Sequence, residues 1–251
     1  ERQAGSSFKP YVYATAMMHG FTPNSVISGG PISWGNWSPH NYEGEKAGRI
    51  TLTEALALSI NTVPVRLAKD YLGLAPIKKL AEEMGVESPL NGHKTMVLGT
   101  SGMTVMDQAT GYSVFQSGGM AGTRHGVMQL TDRSGKAIWE YPQDASKPHR
   151  VLSEKAVAEM NSMLVGVTQR GTGRRAQLPT TLVAGKTGTT QSYRDAWFVG
   201  FTGNYTCAVW IGNDDYSPMK RMTGGTVPAM TWERLMAYAE QNIELKPIFG
   251  I

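Results

Sequence analysis

Three short segments of the sequence carry residue types that are used in nucleophilic catalysis. Residues 6–9 read Ser-Ser-Phe-Lys, residues 59–61 read Ser-Ile-Asn, and residues 186–190 read Lys-Thr-Gly-Thr-Thr. Each segment alone is short enough to occur by chance, whereas the three together, in this order, form a specific pattern. That pattern indicates attack by a serine hydroxyl with a lysine amine as its base.

A lysine three residues after a serine can take the serine's proton. Side chains at this spacing share one face of a helix, so we expect Ser6 Oγ and Lys9 Nζ to meet at the start of a helix. A serine hydroxyl is a poor nucleophile until a base removes its proton. Lysine is such a base only when it is neutral, which requires burial or a neighbouring cation. We expect Lys186 to be that charged neighbour and Lys9 to be largely neutral.

The middle segment offers a relay and an amide, and it also has a plain structural interpretation. Ser59 supplies a hydroxyl that can relay a proton, and Asn61 supplies an amide that can hold a substrate carbonyl. Asn61 is equally well placed to be the N-cap of the helix predicted after it. In the same way, Ser6 can be a simple helix cap, with Lys9 as a solvated lysine in the first turn. Both interpretations stay open at this point.

The last segment lies on a predicted strand. Gly188 leaves room there for another backbone or a ligand to approach closely. The edge of this strand offers a backbone N–H, which together with the N–H of Ser6 makes an oxyanion hole. Lys186 and the hydroxyls of Thr187 and Thr189 suit the carboxylate of a substrate.

The patterns of several other sites are absent from the sequence. A phosphate-binding loop ending at Lys186 needs glycine at position 180, where Thr180 stands. The five histidines show no metal-ligand spacing, and Cys207, the single cysteine, excludes an internal disulfide. We therefore expect no metal ion and no organic cofactor.

Composition sets the remaining bounds. The chain has 251 residues, of which 41% are hydrophobic and 18% charged, so a disordered chain and a coiled coil are both excluded. The formal net charge is +4 and the basic residues are scattered, which argues against a nucleic-acid-binding protein. The sequence has no run of about 18 apolar residues that would cross a membrane, and its length fits one or two domains.

The elements that position the three segments follow an α+β pattern. Hydrophobic periodicity and capping residues predict helices first and three consecutive strands near the end, which favours an antiparallel sheet. An irregular stretch covers residues 20–50, and loops of this length are usually functional. The predicted helices cover residues 8–19, 52–58, 62–72, 75–84, 104–116, a helix capped by Ser153, and 232–243. The predicted strands cover residues 180–188, 196–202 and 206–212, with a hairpin over 127–141.

With all three segments in place, the chain resembles the transpeptidase domain of class A (bifunctional) penicillin-binding proteins. The resemblance implies an antiparallel sheet flanked by helices plus a helical lobe, the fold shared with serine β-lactamases. Residues 1–251 are expected to form this one domain, with the helical lobe at about 20–170 and the sheet part at about 174–251. The matching segments cover nearly the whole chain and are residues 2–10, 37–42, 52–67, 170–173, 184–190, 195–200 and 223–225.

The resemblance also implies a role for each residue of the three segments. Ser6 becomes acylated, Lys9 is its base, and Ser59 takes part in proton transfer. Asn61 holds the amide of the donor peptide. Lys186 completes the catalytic set and binds the D-Ala carboxylate with the substrate-binding residues Thr187, Gly188 and Thr189. The backbone N–H groups of Ser6 and Thr189 form the oxyanion hole.

The reaction implied by the resemblance is D,D-transpeptidation. The serine attacks the D-Ala–D-Ala bond of a peptidoglycan stem peptide, the terminal D-Ala leaves, and the acyl group passes to an amine of a neighbouring stem. β-Lactams acylate the same serine as substrate mimics. The implied partners are stem peptides and β-lactams, with no nucleic acid. The parent protein is expected to carry a membrane anchor and a glycosyltransferase domain at the periplasmic, extracytoplasmic face of the bacterial inner membrane.

Three alternatives remain at this stage. A D,D-carboxypeptidase uses the same residues with water as the acceptor. A serine β-lactamase needs a further base, and residues 87–91 spell its Glu-x-x-Leu-Asn signature, although Ile60 stands where β-lactamases have aspartate. A non-catalytic β-lactam sensor keeps the acylation residues without turning over a peptide.

The start of the chain carries one further expectation. Members of the resembled family place two strands of a five-stranded sheet before the nucleophile, and the pattern predicts only the three later strands here. We expect the two N-terminal strands to be missing and the sheet to have an uncovered edge, which invites aggregation. On its own, this chain is expected to fold poorly.

Overall fold

A computed structural model describes residues 1–42, 47–141 and 147–251. In these ranges, no helix is long and apolar enough to cross a membrane. The helices are α1 (Lys9–Met18), α2 (Leu52–Ala57), α3 (Thr62–Leu67), α4 (Leu74–Glu83), α5 (Val105–Gln116), α6 (Glu154–Gln169) and α7 (Val227–Ala239). The strands are β1 (Arg2–Gln3), β2 (Val26–Ser28), β3 (Arg49–Thr51), β4 (Gly102–Met103), β5 (Met120–Ala121), β6 (Gln129–Thr131), β7 (Ala137–Glu140), β8 (His149–Arg150), β9 (Ala184–Thr189), β10 (Asp195–Phe201) and β11 (Thr206–Gly212).

Three antiparallel strands form the main sheet, in the order β11–β10–β9. The middle strand is buried along its whole length, which fits its aromatic and aliphatic side chains. The second and third strands lie within one residue of their predicted bounds. The first predicted strand, β9, begins at Ala184 rather than at position 180. Ala184 pairs with Phe201, the last residue of β10, so residues before Ala184 have no partner on that strand.

Helix α1 lies in the middle of the larger hydrophobic core. Every residue from Lys9 to Met17 is buried, and the helix packs against α3, α4 and α6. It follows directly on a 3₁₀ turn at Gly5–Phe8, with Pro10 in its first turn, where a missing N–H leaves no hydrogen bond unmade. The predicted helix over 8–19 is confirmed, and its burial withdraws Lys9 from solvent.

Other helix starts follow the capping residues. The side chains of Thr51, Thr104 and Ser153 each accept a backbone N–H at the start of α2, α5 and α6.

The hairpin over 127–141 is confirmed as β6 and β7. The short β1–β4 and β2–β3 ladders were not predicted, because two or three residues leave no periodic signal. The second ladder lies in the stretch predicted as irregular, of which residues 43–46 are outside the described residues.

Two predicted helices have different bounds. The one expected over 62–72 ends at Leu67 and continues as a π-helical turn, Ala68–Leu72, which closes at Gly73. The last helix begins at Val227 rather than at position 232, because Pro228 suits the first turn of a helix as well as it suits a loop.

The strand β11 is an outer strand of the sheet in the described part of the chain. An apolar groove of about 680 Å³ runs along it between α5 and α7. Val105, Cys207 and Leu235 are among the residues that line this groove. The expectation of three strands with an uncovered edge agrees with this arrangement.

The strand β9 lies against the turn that carries Ser6, as the glycine at 188 predicts. A Cβ atom on Gly188 would lie 2.5 Å from Ala4 O and 3.0 Å from Ser7 Oγ. The indole Nε1 of Trp197 on β10 also donates to Gln3 O at 2.8 Å. The sheet and the turn are therefore joined by backbone contacts that leave no space for a side chain.

Replacing Gly188 with alanine is expected to lower the free energy of unfolding by about 1–3 kcal/mol, the usual cost of forcing a group into a filled space. The matched control is Gly126→Ala, because a Cβ atom there meets no atom within 4 Å; its effect should stay within about 0.5 kcal/mol. Chemical denaturation of both variants measures the difference. Equal stabilities would contradict the close approach.

Candidate active site

The 3₁₀ turn at Gly5–Phe8 presents one serine to the solvent and buries the next. Ser7 Oγ donates to Ala4 O at 2.6 Å and accepts from Gln108 Nε2 at 2.7 Å. The hydroxyl of Tyr112 donates to Ser7 O at 2.7 Å. Ser6 is half-buried. These bonds fix the turn through Ser7 and leave Ser6 as the less buried of the two serines.

Two lysines converge on the hydroxyl of Ser59. Lys9 Nζ donates to Ser59 Oγ at 3.1 Å and to Ser59 O at 2.5 Å. Lys186 Nζ donates to the same Ser59 Oγ at 2.9 Å. Both lysine side chains are fully buried. The serine hydroxyl therefore links the two amines.

The pKa values of both lysines are lowered. Burial depresses the pKa of Lys9 well below its usual value, and the positive charge of Lys186 lowers it further. Burial lowers the pKa of Lys186 to about 7. Among the described residues, neither amine forms a salt bridge that would restore its charge. The neutral form of Lys9 is thus favoured by two causes, its burial and the neighbouring Lys186 charge.

One expectation about these lysines stays a prediction and another needs correction. The positive charge expected on Lys186 stays a prediction, since burial lowers its pKa to about 7. Ser6 Oγ was expected to meet Lys9 Nζ, yet the bonds of Lys9 Nζ run to Ser59 and Asn61. Since α1 buries Lys9 toward the middle segment, its amine reaches residues 59–61 instead.

The side chain of Asn61 faces the lysine and does not cap α3. Its Oδ1 accepts from Lys9 Nζ at 2.7 Å, and its Nδ2 donates to His40 O at 2.8 Å. The cap is supplied by Asn41, whose Oδ1 accepts the backbone N–H groups of Asn61 and Thr62 at 2.9 and 3.1 Å. Asn61 stands at the N-cap position as predicted, but its side chain makes no capping bond, because Asn41 of a neighbouring loop does this instead and leaves the Asn61 amide to other partners.

Ser59 has an uncommon backbone conformation. Its φ of +59° lies in the left-handed region, which costs free energy for any residue with a side chain. The residue lies in the short connection between α2 and α3, where its N–H donates to Leu56 O at 3.1 Å. This conformation turns both its carbonyl and its hydroxyl toward Lys9.

The strand β9 turns a free backbone edge toward the Ser6 turn. Thr190 N–H donates to Asp195 O at 3.0 Å, so by alternation the backbone groups of Thr189 point away from β10. A Cβ atom on Gly5 would lie 2.7 Å from Thr189 O and 3.1 Å from Thr189 N. The N–H of Thr189 therefore lies beside the turn that carries Ser6.

The threonines of β9 are hydrogen-bonded to residues outside the three segments. Thr187 Oγ1 is 2.6 Å from Thr172 Oγ1, and Thr189 Oγ1 accepts the N–H of Gly224 at 3.1 Å. Asn41 lies in segment 37–42, Thr172 in segment 170–173 and Gly224 in segment 223–225. All three segments match the resembled family, and this match is the sequence signal that could have pointed to these residues. Their role follows from contacts across the fold that sequence spacing does not contain.

One other candidate residue, Glu87, has its own partners outside this cluster. The carboxylate of Glu87, the base of the β-lactamase alternative, is mostly exposed and pairs with Arg124. Its backbone N–H donates to Asp107 Oδ1 at 3.1 Å, at the start of α5. Within the described ranges, no group of three His, Cys, Asp or Glu side chains is arranged to hold a metal ion.

Comparison with known proteins places this cluster in a family. The family model described as "Penicillin binding protein transpeptidase domain" matches residues 1–237. Penicillin-binding protein 1A of Neisseria flavescens is 33% identical over 259 residues, covering 98% of this chain and 32% of that protein. Penicillin-binding protein 1A of Aquifex aeolicus is 32% identical over 258 residues, covering 98% of this chain and 35% of that protein. The chain spans about a third of the length of these relatives.

Solved structures share the fold. The penicillin-binding protein PonA1 from Mycobacterium tuberculosis has a TM-score of 0.90 at 23% identity, covering 98% of this chain and 71% of that chain. Penicillin-binding protein 1A from Haemophilus influenzae has a TM-score of 0.87 at 24% identity, covering 97% and 43%. With a family model over nearly the whole sequence and relatives above 30% identity, the chain belongs to the penicillin-binding protein transpeptidase domains.

Proposed function

We propose that this chain is a serine D,D-transpeptidase domain that crosslinks peptidoglycan stem peptides through an acyl-enzyme on Ser6. The observation that supports this most strongly is the buried pair Lys9 and Lys186 on either side of Ser59 Oγ. A buried lysine whose lowered pKa favours its neutral form, and which lies next to a hydroxyl relay, is the base that an otherwise unreactive serine needs.

In the acylation step, Ser6 Oγ attacks the carbonyl carbon of the D-Ala–D-Ala bond. Its proton passes to neutral Lys9 through Ser59 Oγ, which takes the proton of Ser6 and gives its own to the lone pair of Lys9 Nζ, 3.1 Å away. The carbon–nitrogen bond then breaks, and the proton held by Lys9 goes to the amine of the leaving D-Ala. The product is an ester between Ser6 and the donor peptide.

Two backbone N–H groups are placed to stabilise the oxyanion of this step. One belongs to Ser6 in its 3₁₀ turn, and the other to Thr189 on the free edge of β9. The close contact between Gly5 and Thr189 supports this pairing. Fixed donors of this kind act on the charge that develops in the transition state.

The terminal carboxylate of the donor would bind along β9. Lys186 supplies a positive charge when it is protonated, and Thr187 and Thr189 supply hydroxyls. Binding an anion favours the charged amine, so the pKa of Lys186 should rise from about 7 when the carboxylate arrives. Binding of the donor carboxylate thereby favours the charged form of Lys186, and this charge further favours the neutral form of Lys9.

The acyl group then passes to an amine of a second stem peptide. That amine attacks the ester carbonyl, Lys9 takes the amine's proton, and Ser6 regains one as the ester bond breaks. β-Lactams would acylate Ser6 in the first step and resist the second. Asn61 has a second N–H on Nδ2 beyond the one given to His40 O, and this hydrogen is available to a peptide carbonyl.

The place of the parent protein follows from its relatives. We propose a membrane-anchored protein with a glycosyltransferase domain, acting on the periplasmic, extracytoplasmic face of the inner membrane. The relatives are about three times as long as this chain, which leaves room for both parts. The proposed partners are stem peptides and β-lactams.

The acceptor decides between the alternatives, and one assay separates them. We expect incubation with a stem-pentapeptide donor and an amine acceptor to yield a new amide, detected by mass spectrometry, together with free D-Ala. Hydrolysis without the new amide would indicate a D,D-carboxypeptidase. If neither the new amide nor free D-Ala is formed while penicillin still binds, the domain would be a sensor. The position of Glu87 gives no support to the β-lactamase alternative.

The choice between the adjacent serines gives a second prediction. Ser6→Ala should form no adduct with penicillin in intact-mass spectra, because the proposed nucleophile is gone and the hydroxyl of the adjacent Ser7 is buried and hydrogen-bonded. Ser7→Ala is the matched control and should keep the adduct, while losing about 1 kcal/mol of stability with its buried hydrogen bonds. An adduct on Ser6→Ala would remove Ser6 as the nucleophile.

A further inference from the structure

The two walls of the cleft are joined at its outer end by a pair of tyrosines. The hydroxyl of Tyr42 lies 3.1 Å from the hydroxyl of Tyr193. Tyr42 is 55% exposed, and Tyr193 is half-buried. This contact joins two distant parts of the chain and is not needed by the proposed chemistry.

Each tyrosine is tied to a different part of the catalytic cluster. Tyr42 follows Asn41, whose Oδ1 holds the backbone N–H of Asn61 at 2.9 Å. Tyr193 follows β9, and its own N–H donates to Thr190 O at 3.1 Å. The tyrosine pair therefore connects the wall that carries Asn61 with the wall that carries Thr189.

The turn that presents Tyr193 is held in a strained conformation. Ser192 has a φ of +59° and Tyr193 a φ of +54°, and two consecutive left-handed residues with side chains are uncommon. Besides the tyrosine contact, the turn is fixed by Met219 N–H, which donates to Tyr193 O at 3.1 Å. Strain of this kind persists where surrounding contacts hold it, so losing one contact should make the turn easier to move.

A peptide donor must pass this point. With its carboxylate at Lys186 and Thr187 and its reacting carbonyl at Thr189, an extended donor runs along β9 in the direction of Thr190 and Tyr193. A strand-like ligand on a free sheet edge is a common mode of peptide binding. Everything on the acyl side of the reacting bond therefore leaves the cleft between Tyr42 and Tyr193.

We propose that Tyr42 and Tyr193 form a latch across the outer end of the cleft, which a stem-peptide donor must open and a small β-lactam does not. This inference rests on the proposed function, because it takes the donor's direction from it. The latch selects by length: a donor with a peptide on the acyl side displaces the hydroxyl contact, whereas 6-aminopenicillanic acid, which has no acyl side chain, ends before it.

The test compares two substrates in Tyr42→Phe and Tyr193→Phe. Both variants keep the ring and remove one hydroxyl, so kcat/KM for D-Ala release from a pentapeptide donor should rise by about threefold, the scale of one exposed hydrogen bond. The rate of Ser6 acylation by 6-aminopenicillanic acid should not change. In the double variant the gain should be no larger than in either single one, because both remove the same bond.

The controls separate failure of the latch from failure of the proposed function. Tyr238→Phe removes the hydroxyl of a tyrosine that is 75% exposed on α7 and should leave both rates unchanged. An equal change for both substrates, a fall with the peptide, or additive effects in the double variant would each overturn the latch. If the unsubstituted protein forms no 6-aminopenicillanic acid adduct on Ser6, it is the proposed function that fails.

Discussion

The site depends on two lysine amines that share one serine hydroxyl in a buried environment. Lys9 and Lys186 both bond to Ser59 Oγ, and both are withdrawn from water. Two cations buried together without a carboxylate would be strongly unfavourable, so the pair is stable only if at least one amine loses its proton. Burial thus produces the base, and the fold around it serves to hold this arrangement in place.

The rest of the architecture follows from that requirement. Helix α1 is buried on all sides and so keeps Lys9 away from solvent, while its 3₁₀ start leaves Ser6 at the surface of the cleft. The strand β9 brings Lys186 from the opposite side and can approach the turn only because Gly188 lacks a side chain. Asn41 takes over the cap of α3, which frees Asn61 to accept from Lys9.

The sequence predicts the elements and the identity of the site residues better than their contacts. Periodicity and capping residues place α1, α5, α6 and the last two strands, because each is long enough to repeat a pattern. Residue spacing does not say that Lys9 bonds to Ser59 and Asn61, that Asn41 caps α3, or that Tyr42 meets Tyr193. Those contacts join parts of the chain that are 20 to about 150 positions apart, and only the fold brings them together.

The account is tested most directly by titrating the two buried lysines. NMR of protein with 13C-labelled lysine side chains would follow each amine, with Lys186→Met used to assign the second signal. The account predicts that the pKa of Lys9 lies well below its usual value, that Lys186 titrates near 7, and that the pKa of Lys9 rises when Lys186→Met removes the neighbouring charge. A Lys9 amine that stays protonated above neutral pH would contradict it, because no neutral base would then lie beside Ser59.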